Sequence, residues 1–491
     1  MLGDAFVTVN GGLVGTIGNT GFDGNIFGGG MGSGDSVVIA TGKPKEFRIY
    51  PTSGRVSGNT YVTMDGGQIL GSIYGGGSLA LTGVNVNGTF NPNVTGFDIT
   101  KHGNTNINVS GNTTQIGTTN VEHVLNTFYS VGDIFGSGRG DIENYEDILA
   151  GRVTNSNITV TGPTHHSGSV FGGGEMASIG WWGNDNKFYA NTGLATILID
   201  TIDDGSGPTF GTSIEFEAFQ VEDEDNDTVY ITVGGKTFPS PWTMFDEDGN
   251  LIHTCTGNVF GGGQGEVDPT APHWSSMARS RASVVTINGG TIMSKVFGAS
   301  EQGSLADSTR VYVYGGTIGH ILDGEPFGGV FGAGYGSDDP DEAEDTNNDD
   351  GIASKYIAGR VYGEAEVRIV GGTMNGNVYG GGERAYVGTD GDATTGNATV
   401  YIGTATSANP EDGTLSSDYT GDASFTGTAS VFGANKTAGT PLGDVTVHII
   451  QTHHVHQPTD DFYPHIPDGI QDTVAWKLRS EERRVGKECR S

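Results

Sequence analysis

Two acidic runs carry the oxygen ligands that calcium prefers. Their carboxylates fall at alternate positions, at Asp223, Asp225 and Asp227 in one run and at Asp246 and Asp248 in the other. Hard oxygen ligands with this spacing can wrap a calcium ion. Neither run has the full helix-loop-helix pattern, and the alternative is a solvated insertion, because blocks of like charge repel and extend. The sequence makes these aspartates candidate calcium ligands and calcium the candidate cofactor.

Four tryptophans are candidate ring-stacking residues for a glycan: Trp181, Trp182, Trp242 and Trp274. An indole ring has a large apolar face and one polar atom, which suits carbohydrate. These residues lie in stretches that interrupt the repeat described below. A tryptophan in such an insertion often pins the loop onto the scaffold instead, and this alternative stays open.

Five histidines near residue 450 form a second candidate metal cluster. Two of them, at positions 454 and 456, would share one face of a strand, and this spacing can hold zinc or copper. The prolines that follow indicate irregular chain, so a polar linker is the alternative. The cluster comprises His448, His453, His454, His456 and His465.

The overall charge argues against some partners. The chain has 24 Lys+Arg against 58 Asp+Glu, a formal net charge of −34. Nucleic acid phosphates and anionic lipid surfaces would repel it, so we expect neither as a partner. The sequence has no apolar run of the roughly 18 residues that a transmembrane helix needs. Residues 1–4 do not begin a signal peptide, and we expect any export signal to lie upstream.

The last stretch differs from everything before it. Residues 479–491 read Arg-Ser-Glu-Glu-Arg-Arg-Val-Gly-Lys-Glu-Cys-Arg-Ser. This segment resembles the translation of a sequencing-library adapter, so we expect it to be unstructured and exclude it from fold reasoning. Cys489 belongs to it, which leaves Cys255 alone, and one cysteine allows no internal disulfide.

A repeat built from two sequence units organises the chain. The first unit alternates apolar and polar residues and ends in Gly-Gly, as in Val-Thr-Ile-Asn-Gly-Gly at residues 285–290. Alternation predicts a strand with one buried face, and the glycines permit tight corners. The unit is clearest at 7–12, 62–67, 285–290, 311–316 and 367–372, with weaker copies near Ile107, Ile158, Ile231, Val400 and Val445.

The second unit is Val or Ile, then Phe or Tyr, then Gly. Neighbouring side chains in a strand point to opposite sides. We expect the β-branched residue to face inward and the aromatic residue outward, because the aromatic position accepts Tyr, whose hydroxyl prefers water. The unit recurs nine times, beginning at Ile26, Ile73, Ile134, Val170, Val259, Val296, Val330, Val378 and Val431.

These units predict an all-β, elongated parallel β-helix, or β-solenoid. One strand cannot bury its face alone, but coils stacked at ~4.8 Å pair each strand with the next coil. Ile287 and Val313 are 26 residues apart, which suits one coil, whereas Val313 and Ile369 are 56 apart and require further coils or corner loops. A β-propeller is the alternative, since its blades repeat every ~40–50 residues. The spacing here is less even than that.

The domain organisation follows from the repeat. Residues 1–450 should form the solenoid, with insertions near 175–255 and 335–356. Residues 451–478 should be an irregular segment that contains histidine and proline. The adapter-like segment at 479–491 completes the chain.

The Gly-Gly-x-Ile corners and the Val-Phe-Gly-Gly-Gly runs, over roughly residues 5–450, resemble the glycine-rich repeats of large bacterial surface adhesins and autotransporter-passenger-like β-helix proteins. The resemblance implies a fragment of a cell-surface or secreted scaffold that binds host or matrix glycans or proteins. It implies no catalytic residues. An inert stalk would carry the same pattern and is one alternative.

A polysaccharide lyase or glycosidase built on a β-helix is the other alternative. A glycosidase needs two carboxylates at a defined separation, and the many acids of this chain leave such a pair unassigned. The sequence has no Ser-His-Asp signature, phosphate loop or nucleophile elbow. A lyase could use one of four arginines, although no spacing selects among Arg310, Arg360, Arg368 and Arg384. We name no catalytic residue and expect no enzyme.

Overall fold

The chain forms a stack of β-solenoid coils. Three parallel sheets run along the stack; each of the first nine coils adds one strand to every sheet, and a tenth coil adds a strand to the largest. The computed structural model describes residues 3–16, 24–38, 41, 45–83, 101–118, 132–144, 146–183, 185–212, 218–221, 229–233, 236–239, 256–267, 273–322, 325–337, 357–392, 394–405, 419–427 and 429–452.

We name the three sheets by their content. The long-strand sheet contains Ala5–Val9, Thr60–Met64, Asn104–Val109, Asn155–Thr161, Leu194–Asp200, Ala282–Ile287, Thr309–Val313, Ala365–Ile369, Ala398–Ile402 and Val445–Ile449. The corner sheet contains Leu13–Val14, Gln68–Ile69, Gln115–Ile116, His165–His166, Thr209–Phe210, Thr291–Ile292, Thr317–Ile318, Thr373–Met374 and Ser424–Phe425. The aromatic sheet contains Ile26–Phe27, Ile73–Tyr74, Ile134–Phe135, Val170–Phe171, Val259–Phe260, Lys295–Phe297, Gly329–Phe331, Asn377–Tyr379 and Val431–Phe432.

Strands in these sheets pair in parallel, so equivalent residues of successive coils lie above one another. Ile287 pairs with Val313, and Val313 pairs with Ile369. The longer interval between the last two residues is therefore one coil with a corner loop. The prediction of a parallel β-helix is confirmed. The β-propeller alternative is wrong, because its blades need antiparallel meanders.

Small antiparallel elements are inserted at the coil corners. Ile231 lies in one of them, so the weak repeat copy predicted there is wrong; the corresponding long strand is Leu194–Asp200. Within the described ranges, no helix is long and apolar enough to span a membrane. The inserted elements are Gly34–Val38 with Lys45–Ile49, His320–Leu322 with Glu325–Phe327, Thr404–Ala405 with Tyr419–Thr420, the sheet Ala218–Val221, Val229–Val233 and Lys236–Pro239, and the 3₁₀ helix Trp274–Ser276.

β-Branched side chains from all three sheets fill the interior. Ile197 and Val285 of the long-strand sheet, Ile292 of the corner sheet and Val296 of the aromatic sheet belong to one fully buried cluster. Each such side chain contributes about 1.5–3 kcal/mol by leaving water. Parallel register repeats these contacts from coil to coil, so a chain with few apolar residues still builds a continuous core.

The aromatic residues of the second unit stack along the opposite side of the aromatic sheet. The rings of Phe135 and Phe171 are 4.8 Å apart and within 8° of parallel. Val170 is 0% exposed and Phe171 is 3% exposed. The inward position of the β-branched residue is confirmed, but the expected exposure of the aromatic residue is wrong, because each ring covers its neighbours. The Tyr74 hydroxyl donates to Glu175 at 2.6 Å.

The glycine after each aromatic residue is required by the close approach of the coils. A Cβ atom on Gly172 would lie 2.2 Å from the carbonyl oxygen of Gly261 in the next coil. The same glycine carbonyls accept buried hydroxyls across the interior, as where Thr60 Oγ1 donates to Gly75 O at 2.6 Å. A side chain at this position would force neighbouring coils apart.

Candidate functional site

The outward side of the long-strand sheet carries planar polar side chains in its last four coils. Side chains alternate along a strand, so the residues between core positions point away from the interior. In-register pairing places Tyr312, Arg368, Tyr401 and His448 at equivalent positions. We call these four residues the planar row.

Members of the planar row lie face to face. The guanidinium carbon of Arg368 is 4.5 Å from the centre of the Tyr401 ring. The Tyr401 and His448 rings are 4.8 Å apart, with 7° between their planes. Tyr401 is only 7% exposed as a result. Stacking thus holds Arg368, Tyr401 and His448 against one another, and a cation–π contact contributes about 0.5–1 kcal/mol at an exposed site.

Neighbouring groups set the charge of the row. Arg368 Nη2 donates to Glu366 Oε1 at 3.1 Å. Burial raises the pKa of Tyr312, and the charge of Glu366 raises it further, so this hydroxyl stays a hydrogen-bond donor at neutral pH. Tyr314 lies beside Tyr312, with ring centres 6.4 Å apart, and is 50% exposed.

The planar row offers the polar edges of its side chains to a ligand, because the faces of Arg368, Tyr401 and His448 already cover one another. Tyrosine combines an apolar ring with a hydroxyl, and arginine supplies several fixed donors. The hydroxyl groups of a sugar can form hydrogen bonds with such edges. The carboxylate beside the row, that of Glu366, forms an ion pair with Arg368.

A fourth line of parallel contacts runs along the corner before the long-strand sheet, with single bridges such as Ser280 to Leu305. Every second position along this line is an arginine. We call these four residues the arginine row: Arg55, Arg152, Arg279 and Arg360. Sequence reasoning missed the row, although Gly-Arg-Val recurs at 54–56, 151–153 and 359–361. Backbone hydrogen bonds and bridges give the order Arg55, Leu81, Arg152, Ser178, Arg279, Ser304, Arg360, Tyr386 and Thr440.

Trp181 and Trp182 lie against the arginine row. Trp181 is 3% exposed, and its Nε1 donates to Thr154 Oγ1 at 3.0 Å, so it pins its insertion onto the coil. The guanidinium carbon of Arg152 lies 3.6 Å from the centre of the Trp182 ring, and that of Arg279 lies 5.3 Å from it. A guanidinium therefore already covers the indole that was a candidate for sugar stacking.

The other predicted site residues are only partly within the described ranges. Trp274 begins the 3₁₀ helix Trp274–Ser276. His448 belongs to the planar row, and Arg310 pairs in register with Glu366 beside it. The described residues contain no group of three or more His, Cys, Asp or Glu side chains that could hold a metal ion. The candidates that lie outside the described residues are Asp223, Asp225, Asp227, Asp246, Asp248, Trp242, His453, His454, His456 and His465.

A buried ion cluster joins three coils beside the stacked aromatic rings. Lys295 Nζ lies 3.0 and 2.9 Å from the two carboxylate oxygens of Glu383. Lys436 Nζ lies 2.7 Å from the same carboxylate. Burial alone would raise the pKa of Glu383, but the two lysines outweigh it and lower the pKa to about 2. The mutual pairing of these groups points to a structural role.

Asp133 is a buried acid at the start of an aromatic-sheet strand. Its Oδ1 accepts a hydrogen bond from the Ser169 N–H of the next coil at 2.6 Å. Burial raises its pKa to about 7, and the charge of Glu175 adds to the effect, against the Ser169 hydrogen bond. Asparagine fills the same position in other coils, at Asn25, Asn258 and Asn377.

No family model, curated protein or solved structure matches this chain.

Proposed function

We propose that the chain is part of a cell-surface or secreted adhesin-like protein, in which the solenoid is a scaffold that presents a binding surface for glycans or proteins. The planar row is the observation that carries this proposal. The core is filled from the other side of the long-strand sheet. The outward side chains are therefore not needed for core packing, and a cluster of tyrosine, arginine and histidine there is better explained by recognition.

The position of the row within the stack supports a localised site. Thr286 pairs with Tyr312, so the change from a small side chain to large planar ones occurs between two adjacent coils. Earlier coils have no aromatic ring or guanidinium at this position, which is occupied by Thr63, Asn108, Thr159 and Leu198. Threonine alone suits an exposed strand. The replacement of threonine, asparagine and leucine by planar groups in the last four coils favours a ligand there.

A glycan array probed with the full chain tests this proposal. We expect binding to a subset of glycans, and at least about tenfold weaker binding in Tyr312→Thr and Arg368→Thr, since each change removes charge-assisted or stacking contacts. Tyr61→Thr is the matched control. It removes a tyrosine that stacks on Phe6 at 4.8 Å on the same sheet face, in an early coil.

Each outcome has a definite meaning. Full binding by both planar-row variants would refute the row as the site. Binding to no glycan and no matrix protein would favour the inert stalk. Release of reducing sugar from a polysaccharide would favour the enzyme alternative, and a screen of plant, microbial and host polysaccharides measures it.

A further inference from the structure

Two members of the arginine row share an indole ring and have few partners of their own. Arg152 is 3% exposed, and its Nε and Nη2 atoms are buried with no hydrogen-bond partner among the described residues. Its guanidinium lies against one side of Trp182, and Arg279 approaches the same ring. A buried donor without an acceptor is destabilising, and more so when it is charged.

Among the described residues, the positive charge of this pair is only partly compensated. Asp147 is the acid whose charge acts on Arg152, but its oxygens accept the backbone N–H groups of Ile49 and Leu149. Arg279 Nη2 donates to the carbonyl oxygen of Asn186 at 3.5 Å, and the guanidinium carbon lies 5.4 Å from the centre of the Phe188 ring. Burial and, after it, the like charge of Arg279 lower the pKa of Arg152 to about 9. In so acidic a chain, two cations held together in this way are unexpected.

The position in the row does not by itself explain the unused donors. Arg360 occupies an equivalent rung, and its Nε and Nη2 both donate to the carbonyl oxygen of Gly388, at 2.9 and 2.7 Å. Its Nη2 also contacts Asp390 at 3.0 Å. The fold can therefore satisfy an arginine at this corner. The difference lies in what surrounds Arg152 and Arg279.

We propose that Arg152 and Arg279 bind an oxyanion of the carboxylate class, such as the acid group of an acidic sugar. A guanidinium presents a planar set of donors that matches a carboxylate in a bidentate contact. Trp182 and Arg279 are both partly exposed, and Trp182 forms an isolated bridge with Phe188. The side chains of Trp182 and Arg279 must move for an anion to reach the buried Nε and Nη2 atoms of Arg152. The site shares no residue with the planar row and stands without the proposed function.

Isothermal titration of the full chain with sodium glucuronate tests the site, with glucose and ionic-strength-matched sodium chloride as controls. We expect binding of glucuronate and none of glucose. Arg279→Gln should weaken binding at least about tenfold, because it removes charge-assisted hydrogen bonds. Arg152→Gln should do the same. Arg360→Gln is the matched control and should retain the wild-type affinity.

The remaining arms separate the sources of the carboxylate. Equal affinity for acetate would assign the site to a simple carboxylate, and binding of glucuronate alone would assign it to an acidic sugar; both agree with the proposal. Equal responses to glucuronate and glucose, or unchanged affinity in Arg279→Gln, would overturn it. Circular dichroism checks that each variant is folded. Should Arg152→Gln not fold, the partly exposed Arg279 decides the test.

Discussion

Replacing Asp133 by asparagine should stabilise the chain at neutral and alkaline pH. Burial raises the pKa of Asp133 from 3.8 to about 7. Between these values the folded chain keeps a proton that the unfolded chain has lost. The contribution of Asp133 to the free energy of unfolding therefore falls as the pH rises from about 4 to about 7, and it stays low above pH 7. At about 1.36 kcal/mol per pKa unit, the full effect is about 4 kcal/mol.

Asparagine removes the charge and keeps the hydrogen bond. Its Oδ1 can accept the Ser169 N–H that Asp133 accepts now, as Asn25 Oδ1 does for the Ser72 N–H. Urea unfolding of wild type and Asp133→Asn, followed by circular dichroism at pH 4, 6 and 8, measures the difference. We expect no gain at pH 4 and the largest gain at pH 8. Asp133→Ala, which lacks the acceptor, is the control and should gain less.

A gain that is independent of pH would refute this reasoning. It would mean that Asp133 ionises in the folded chain near its ordinary pKa, so that the carboxylate is solvated. The benefit of asparagine would then come from packing. A loss of stability at pH 8 would show instead that the ionised form makes a contact that the amide cannot replace.

Three further changes test other parts of the structure. Glu383→Gln should destabilise by about 3–5 kcal/mol at pH 7, because the buried Lys295 would lose its paired carboxylate. Wild-type stability from this pair should also fall as the pH drops from 4.5 through about 2, and an unchanged urea midpoint in the variant would contradict this. Gly172→Ala should destabilise by about 1–3 kcal/mol through overpacking, whereas Gly11→Ala, with nothing within 4 Å of its Cβ position, should not; equal melting temperatures would count against it. Calcium should raise the melting temperature more than sodium chloride at matched ionic strength, and Asp225→Asn should remove part of the excess; equal responses to the two salts would leave the acidic run a solvated insertion.

The sequence was sufficient to predict the repeat architecture. The alternation of apolar and polar residues and the glycine corners are local signals. Parallel stacking of the coils buries the apolar face of each strand. The prediction failed where the local signal was absent. Leu194–Asp200 belongs to the long-strand sheet, but no Gly-Gly pair follows it. Val229–Val233 has the alternation and lies in an inserted sheet instead, because tertiary pairing overrides a short pattern.

The candidate sites could not be predicted in the same way. Tyr401 and His448 come together only through the pairing of two strands whose separation depends on corner loops of uneven length. The same holds for Arg152 and Arg279. Arg152 lies in Gly-Arg-Val and Arg279 in Ala-Arg-Ser, so the sequence around them does not show that they occupy equivalent positions in the stack. Register between distant coils is a property of the assembled stack.

The same register explains why function should be sought where the stacking rule is broken. Along each inner row, equivalent positions carry similar side chains, because each must pack against the coils above and below. On the outer face, threonine, asparagine or leucine occupies the equivalent position in each coil up to Thr286, and then the planar row begins. Arg152 departs further from the repeat, because a buried cation without a bonded acceptor destabilises the stack. Packing of the solenoid requires neither the planar row nor an unpaired Arg152. Ligand binding can therefore explain side chains that the stability of the fold does not explain.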